Sequence, residues 1–145
     1  MQKLTGMAAA LNRFISRSAN RCRPFFRLLH KWKDFHWTKE CVVAVEILKQ
    51  YLSSPPILSR PKKEEVLYAY LSVTNYVVSL VLVRNENGVQ RTVYYVSKSL
   101  QEAKTCYLPL EKVVLAIMHT TKKLPYYFLA HTVMVLTQFP LQALL

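Results

Sequence analysis

Apolar residues recur along this chain with two different periods, and the change from one to the other divides it. Before about residue 60 the spacing is helical. Met7, Leu11, Phe14 and Ile15 fall at i, i+4, i+7 and i+8, one stripe of a helix over residues 5–20. Thr5 is placed to cap that helix through its hydroxyl. Pro24 opens a second short helix at no cost in hydrogen bonds, with Phe25, Phe26, Leu28 and Leu29 as its apolar face. Thr38 caps a third, from about Lys39 to Leu52, whose stripe is Cys41, Ala44, Val45, Leu48 and Leu52. Glu40 suits the positive end of its dipole. The run Ser53-Ser54-Pro55-Pro56 stops it, since proline neither donates nor fits inside a helix. Residues 53–63, with three prolines and three basic residues, predict a linker and a domain boundary.

From Glu64 onward the pattern is that of strands. Val66–Val73, Tyr76–Val83 and Val89–Val96 are rich in β-branched and aromatic residues. Asn87-Gly88 between the second and third favours positive φ at both central turn positions, a strong hairpin signal. A connection from Ser99 leads to a long helix over Pro109–Lys123, with Leu110, Val113, Val114, Ile117, Thr121 and Leu124 at helical spacing. Pro125 ends or kinks it. Thr132–Leu136 is a last strand, apolar enough for a parallel strand covered on both faces. The order strand, strand, strand, helix, strand predicts an α+β fold: a small helical N-terminal segment, then a mixed sheet of three antiparallel strands and one parallel strand.

Composition adds a partner class. In 145 residues, 20 Lys+Arg stand against 8 Asp+Glu, a net charge of +12. Such an excess fits a polyanion such as nucleic acid, or else a piece of a larger protein whose acidic parts lie elsewhere. The charge is concentrated: residues 1–33 contain Lys3, Arg13, Arg17, Arg21, Arg23, Arg27, Lys31 and Lys33 and no acid. Cys22, Cys41 and Cys106 form no CxxC pair and no zinc spacing, and read as buried, inert thiols in a reducing compartment. No apolar run reaches the ~18–20 residues that cross a bilayer, so no membrane partner is expected. The location implied is cytoplasmic or nuclear. The Arg/Ser-rich, acid-free start also suits a mitochondrial presequence, and a small mitochondrial protein is the competing reading.

Several strings then match one family together. KLTGMAAALNRFISRSANRCRPFF resembles the reverse transcriptase thumb of gypsy-type LTR retrotransposons, and FHWTKECVVAVEILKQYLSSPPILSRP the connection after it. LYAYLSVTNYVVSLVLVRNENGVQRTVYYVSKSL, YLPLEKVVLAIMHTTKKLPYYF and VMVLTQFPLQALL resemble the ribonuclease H-like domain, most closely in its plant members. The resemblance implies a thumb remnant at 1–33, a connection helix and linker at 34–63, and a truncated ribonuclease H-like domain at 64–145. It also implies a duplex partner for the basic N-terminus through Arg13, Arg17, Arg21, Arg23 and Arg27.

Ribonuclease H holds two Mg²⁺ ions about 4 Å apart with carboxylates, and these activate water and stabilise the leaving oxygen. This chain has one aspartate, Asp34, outside the sheet. The family's first-strand Asp position is occupied by Ser72 and its fourth-strand Asp by Gln138. The helix glutamate survives as Glu111, a vestigial catalytic residue or a first-turn glutamate complementing the helix dipole. The remaining carboxylate would fall beyond Leu145, and the polymerase palm before Met1. No residue is assigned as a metal ligand and no cofactor is expected, with Mg²⁺ the ion of any residual activity. His30, His36, His119 and His131 have no ligand spacing. Trp32, Trp37, Tyr68, Tyr70, Tyr94 and Tyr95 read as packing residues ahead of base-stacking ones. The expected function is that of a degenerate, inactive retroelement fragment that keeps non-specific nucleic-acid binding. An active Mg²⁺-dependent ribonuclease H acting on RNA–DNA hybrids is its enzymatic alternative. The last strand, with an open edge and an uncovered face, is expected to favour self-association.

Overall fold

A computed structural model describes residues 2–30, 36–54 and 57–141. Trp32, Asp34, Pro55 and Pro56, and the side chains of Leu28, Leu29 and His30, lie outside what it describes. The N-terminal part is helical: α1 (Gln2–Ala10), a 3-10 turn at Asn12–Phe14, α2 (Ser18–Arg21), α3 (Arg23–His30) and α4 (Lys39–Ser53). The sheet part follows as β1 (Leu67–Val73), β2 (Val77–Glu86), β3 (Val89–Ser99), α5 (Glu102–Thr105), α6 (Pro109–Lys123), α7 (Pro125–Ala130) and β4 (Val133–Leu136).

The single helix expected over residues 5–20 does not form, for a tertiary reason. The Tyr51 hydroxyl on α4 accepts from the Ser16 N–H at 3.2 Å and donates to the Phe14 carbonyl at 3.3 Å. Backbone groups that a continuous helix would pair internally are therefore paired across the core. Ile15 is extended and Arg17 left-handed (φ 51°), so the chain reverses there. The backbone of Thr5 lies at the fourth position of α1 and not ahead of it, and its side chain lies outside what is described. Thr38 does cap α4, its hydroxyl accepting from the Cys41 N–H at 3.4 Å. Ala8, Ile15, Cys22, Phe25, Cys41 and Leu48 close a small core beneath Leu11, Phe26 and Tyr51, and Trp37 stacks on Phe25. Burial pushes the Cys22 thiol up against the opposing pull of Arg21, as suits an inert packing group. Cys106, by contrast, is exposed, because it ends the short α5 rather than entering a core.

The sheet order is β3-β2-β1-β4, with β4 parallel to β1 and the other pairs antiparallel. The β2–β3 hairpin turns through Asn87 (φ 53°) and Gly88 (φ 82°), the left-handed pair that Asn-Gly permits. One face, carrying Leu67, Ala69, Leu71, Leu80, Leu82 and Val135, is covered by α6 and α7 through Ala116, Leu115 and Tyr127. Small residues let α6 lie close: Ala116 and Thr120 are buried, and the Thr120 hydroxyl donates to the Ala116 carbonyl at 2.8 Å. The buried stripe of α6 is thus Lys112, Val113, Ala116 and Thr120, rotated from the bulkier Val114–Ile117 line that spacing predicts. β4 is an edge among the described residues and alternates between half-buried and exposed, with Met134 and Leu136 in the open.

The segment read as a linker is fastened to the sheet. Arg84 on β2 is buried, and its Nε donates to both Glu65 carboxylate oxygens at 3.1 and 3.0 Å. Its Nη1 donates to the Ser59 hydroxyl and the Arg60 carbonyl, while the Ser59 N–H donates to the Thr92 carbonyl at 2.7 Å. A row of serines ties the helical part to the opposite face. Ser72, Ser79 and Ser97 are neighbours across β1, β2 and β3; the Ser79 and Ser97 hydroxyls are 3.0 Å apart. Ser97 then accepts the Ala19 N–H from α2 at 3.2 Å.

Candidate functional site

β4 stops pairing with β1 at Leu136, opposite Tyr70, while β1 runs on to Val73. The unequal lengths leave a notch at the carboxyl ends of the two parallel strands, the usual place for a ligand beside a parallel pair. A cleft of about 650 Å³ occupies it. Its floor is Leu71, Val73 and Val113; β1 and its turn supply Tyr70, Thr74 and Asn75; the end of β4 supplies Leu136, Thr137, Gln138 and Phe139; and α6 closes it with Pro109 and Lys112.

The three sequence-assigned positions do not converge there. Gln138 lines the cleft. Ser72 belongs to the serine row and is not part of the cleft wall. Glu111 is exposed, and its carboxylate accepts the Leu108 N–H at 2.8 Å. That is half of a capping box, with a leucine where a hydroxyl would return the bond. Of the α6 residues that line the cleft, Val113 is fully buried. It lies two residues from Glu111, about 200° further round a helix of 3.6 residues per turn. Glu111 is therefore not part of the cleft wall, which α6 supplies through Pro109, Lys112 and Val113. Sequence reasoning missed Val113 because it followed residue type and not helical phase.

Lys112 was also missed. It is the one charged side chain of the cleft wall among the described residues, with 5% of its surface exposed, and its Nζ donates to the Asn75 carbonyl at 3.3 Å. An ammonium, two carboxamides and three hydroxyls do not suit a pair of dications, whose binding depends on neutralisation by carboxylate oxygen. Among the described residues no three His, Cys, Asp or Glu side chains come together in a way that could hold a metal.

The basic residues at the N-terminus are partly engaged with the protein's own rings. The Arg21 guanidinium lies 4.4 Å from the Tyr51 ring centre, Arg23 3.9 Å from Tyr76, and Arg13 5.1 and 5.2 Å from Phe14 and Tyr94. Arg17 and Arg27 are exposed. Among the described residues, the five arginines expected to face a duplex therefore divide into three that lie on aromatic rings and two, Arg17 and Arg27, with no such contact. No helix among the described residues is long and apolar enough to cross a membrane.

A mixed sheet crossed on one face by a long helix, with its notch at the carboxyl ends of β1 and β4, defines an α+β domain of ribonuclease H-like fold. Residues 37–135 match the family described as the RNase H-like domain found in reverse transcriptase, and the chain belongs to that family. Its curated relatives are retroelement polyproteins. The retrovirus-related Pol polyprotein from transposon 412 of Drosophila melanogaster is 30% identical over 105 residues, 72% of this chain and 8% of that protein. The transposon Tf2-3 polyprotein of Schizosaccharomyces pombe is 26% identical over 128 residues, 88% of this chain and 10% of that protein. The chain thus spans about a tenth of the length of the relatives it matches. Among solved structures, the foamy viral protease-reverse transcriptase dRH in complex with double-stranded DNA superposes at a TM-score of 0.81. The identity is 18%, covering 98% of this chain and 26% of that one. The foamy viral protease-reverse transcriptase in complex with an RNA/DNA hybrid gives 0.80 at 18% identity, covering 92% of this chain and 18% of that one.

Proposed function

We propose that this chain is a gypsy-type, plant-like retroelement domain that binds nucleic acid without sequence preference and does not cleave it. The observation that carries the loss of cleavage is the composition of the cleft wall: among the described residues it holds one lysine and no carboxylate. Two-metal hydrolysis needs ligands that neutralise both ions. Ser72 and Glu111 stand outside the cleft, and Gln138 inside it is neutral. Binding is supported by the net charge of +12 and by solved neighbours that carry double-stranded DNA or an RNA/DNA hybrid. The thumb-like and connection-like parts, residues 1–33 and 34–63, act in this reading as a basic platform beside the sheet. The open edge of β4, with Met134 and Leu136 exposed, supports association with a second strand or a second copy.

The test is incubation of the full chain with labelled RNA–DNA hybrid in Mg²⁺ or Mn²⁺, alongside binding to hybrid, duplex DNA and single strands. No cleavage and similar affinities for unrelated sequences are expected, with affinity falling steeply with salt. Metal-dependent cleavage that vanishes in Glu111→Gln would refute the inactive reading. Affinity unchanged between about 50 and 200 mM salt would refute the electrostatic one.

A further inference from the structure

Lys112 is an anomaly of charge. Lysine is almost never this deeply buried without an anionic partner, because an ammonium withdrawn from water must be compensated. Among the described residues the compensation is one backbone carbonyl at 3.3 Å. No carboxylate is paired with Lys112 among the described residues. An ammonium has three N–H donors, so two remain beyond the Asn75 carbonyl. The cleft around it offers further donors. The Thr137 hydroxyl accepts the Phe139 N–H at 3.1 Å, which leaves its own hydrogen to give. Gln138 and Asn75 add carboxamide N–H groups in the same wall. Val113 and Leu71 make the floor apolar, and a low local dielectric strengthens attraction between an ammonium and an anion.

The geometry points to an anion subsite: the cleft takes a phosphate oxygen directly on Lys112, with Thr137, Gln138 and Asn75 as neutral donors and no metal ion between. This rests on the nucleic-acid reading above for its natural ligand, a backbone phosphodiester, and the chemistry recognised is that of the phosphate group. Lys112 acts here as a binding residue; no bond is made or broken.

The test uses the full chain in EDTA at constant ionic strength, with inorganic phosphate replacing chloride. Saturable shifts of the Thr74, Asn75, Thr137 and Gln138 amide resonances are expected in the wild type and in Lys112→Arg. They are expected to vanish in Lys112→Met, which keeps the apolar stem. With an RNA–DNA hybrid, Lys112→Met should lower the salt slope of log affinity by about 0.9, one phosphate contact, and Lys112→Arg should restore it. Phosphate shifts that are absent from the wild type, or equal in Lys112→Met, overturn the proposal. If Lys112→Met does not fold, the wild-type titration decides alone: shifts confined to the cleft support the subsite and their absence sinks it. A hybrid that does not bind at all, beside a saturable phosphate response, would instead remove the nucleic-acid reading and leave the subsite standing.

Discussion

The N-terminal arginines and Lys112 carry the same sign of charge in opposite settings. Arg21 and Arg23 lie on the faces of Tyr51 and Tyr76, where the ring quadrupole and nearby solvent both accommodate a cation. Lys112 is withdrawn into the cleft wall, and among the described residues the Asn75 carbonyl is its one hydrogen-bond partner. Charge of the first kind is cheap to keep and contributes to stability and to long-range attraction alike. Charge of the second kind is costly unless something outside the protein completes it. A count of basic residues treats the two as equal, and the count is dominated by the cheaper kind.

That contrast can be broken at its foundation by removing the packing that presents the arginines. Phe25 is fully buried in the helical core, beneath Trp37. Phe25→Ala should cost about 3–5 kcal/mol, the usual penalty of a large cavity, and urea unfolding measures it. A loss below about 1 kcal/mol would mean that the helical part is not packed as described.

A buried cation that does have its partner offers the next comparison. Arg84, as buried as Lys112, is matched by Glu65 at 3.0 Å. The Lys62 N–H, at 2.7 Å, and the Arg84 guanidinium hold the Glu65 carboxyl below the usual carboxylate range. Glu65→Gln should destabilise by about 1–3 kcal/mol at neutral pH, because it strips a hydrogen-bonded charge from Arg84. A depressed carboxyl pKa contributes stability above its unfolded value, and that contribution is lost as pH falls through the folded one. The gap in melting temperature between wild type and Glu65→Gln should therefore narrow on acidification below the ordinary carboxylate range. A gap independent of pH would show that packing, not charge, is what the variant removes.

Within the N-terminal set, stacked and open arginines should separate. Arg21→Gln and Arg23→Gln should each lose about 0.5–1 kcal/mol of stability, the cost of an exposed cation–π contact. Arg17→Gln and Arg27→Gln, whose side chains are exposed, should leave stability within about 0.5 kcal/mol. Each should still lower the salt slope of hybrid binding by about 0.9 if it meets a phosphate. The reverse pattern would mean that the stacked arginines leave their rings to bind.

The smallest effect is expected at Glu111. Its carboxylate caps α6 through the Leu108 N–H and is not part of the cleft wall. Glu111→Gln should cost about 0.3–1 kcal/mol and leave hybrid affinity unchanged. A large change in affinity would bring Glu111 back into the site.

The sequence by itself determined the elements that local chemistry decides. The Thr38 cap, the Asn87-Gly88 turn, the β-branched strands and the stop at Pro125 depend on groups a few residues apart, and each stands where the residues imply. It also carried the family, through strings whose order alone is specific. Tertiary structure decided the rest. Tyr51, thirty-five residues from Ser16, broke the first helix by taking its backbone bonds. Arg84 fastened a proline-rich segment that read as a linker, because a buried guanidinium must collect partners from wherever they lie. The site was the least legible part. Residue type drew attention to Glu111 and Ser72, whereas helical phase and strand alternation put Lys112, Val113 and Gln138 around the cleft. Which side of an element faces the notch depends on how α6 settles on the sheet, and small residues such as Ala116 and Thr120 set that rotation through close packing that no local pattern encodes.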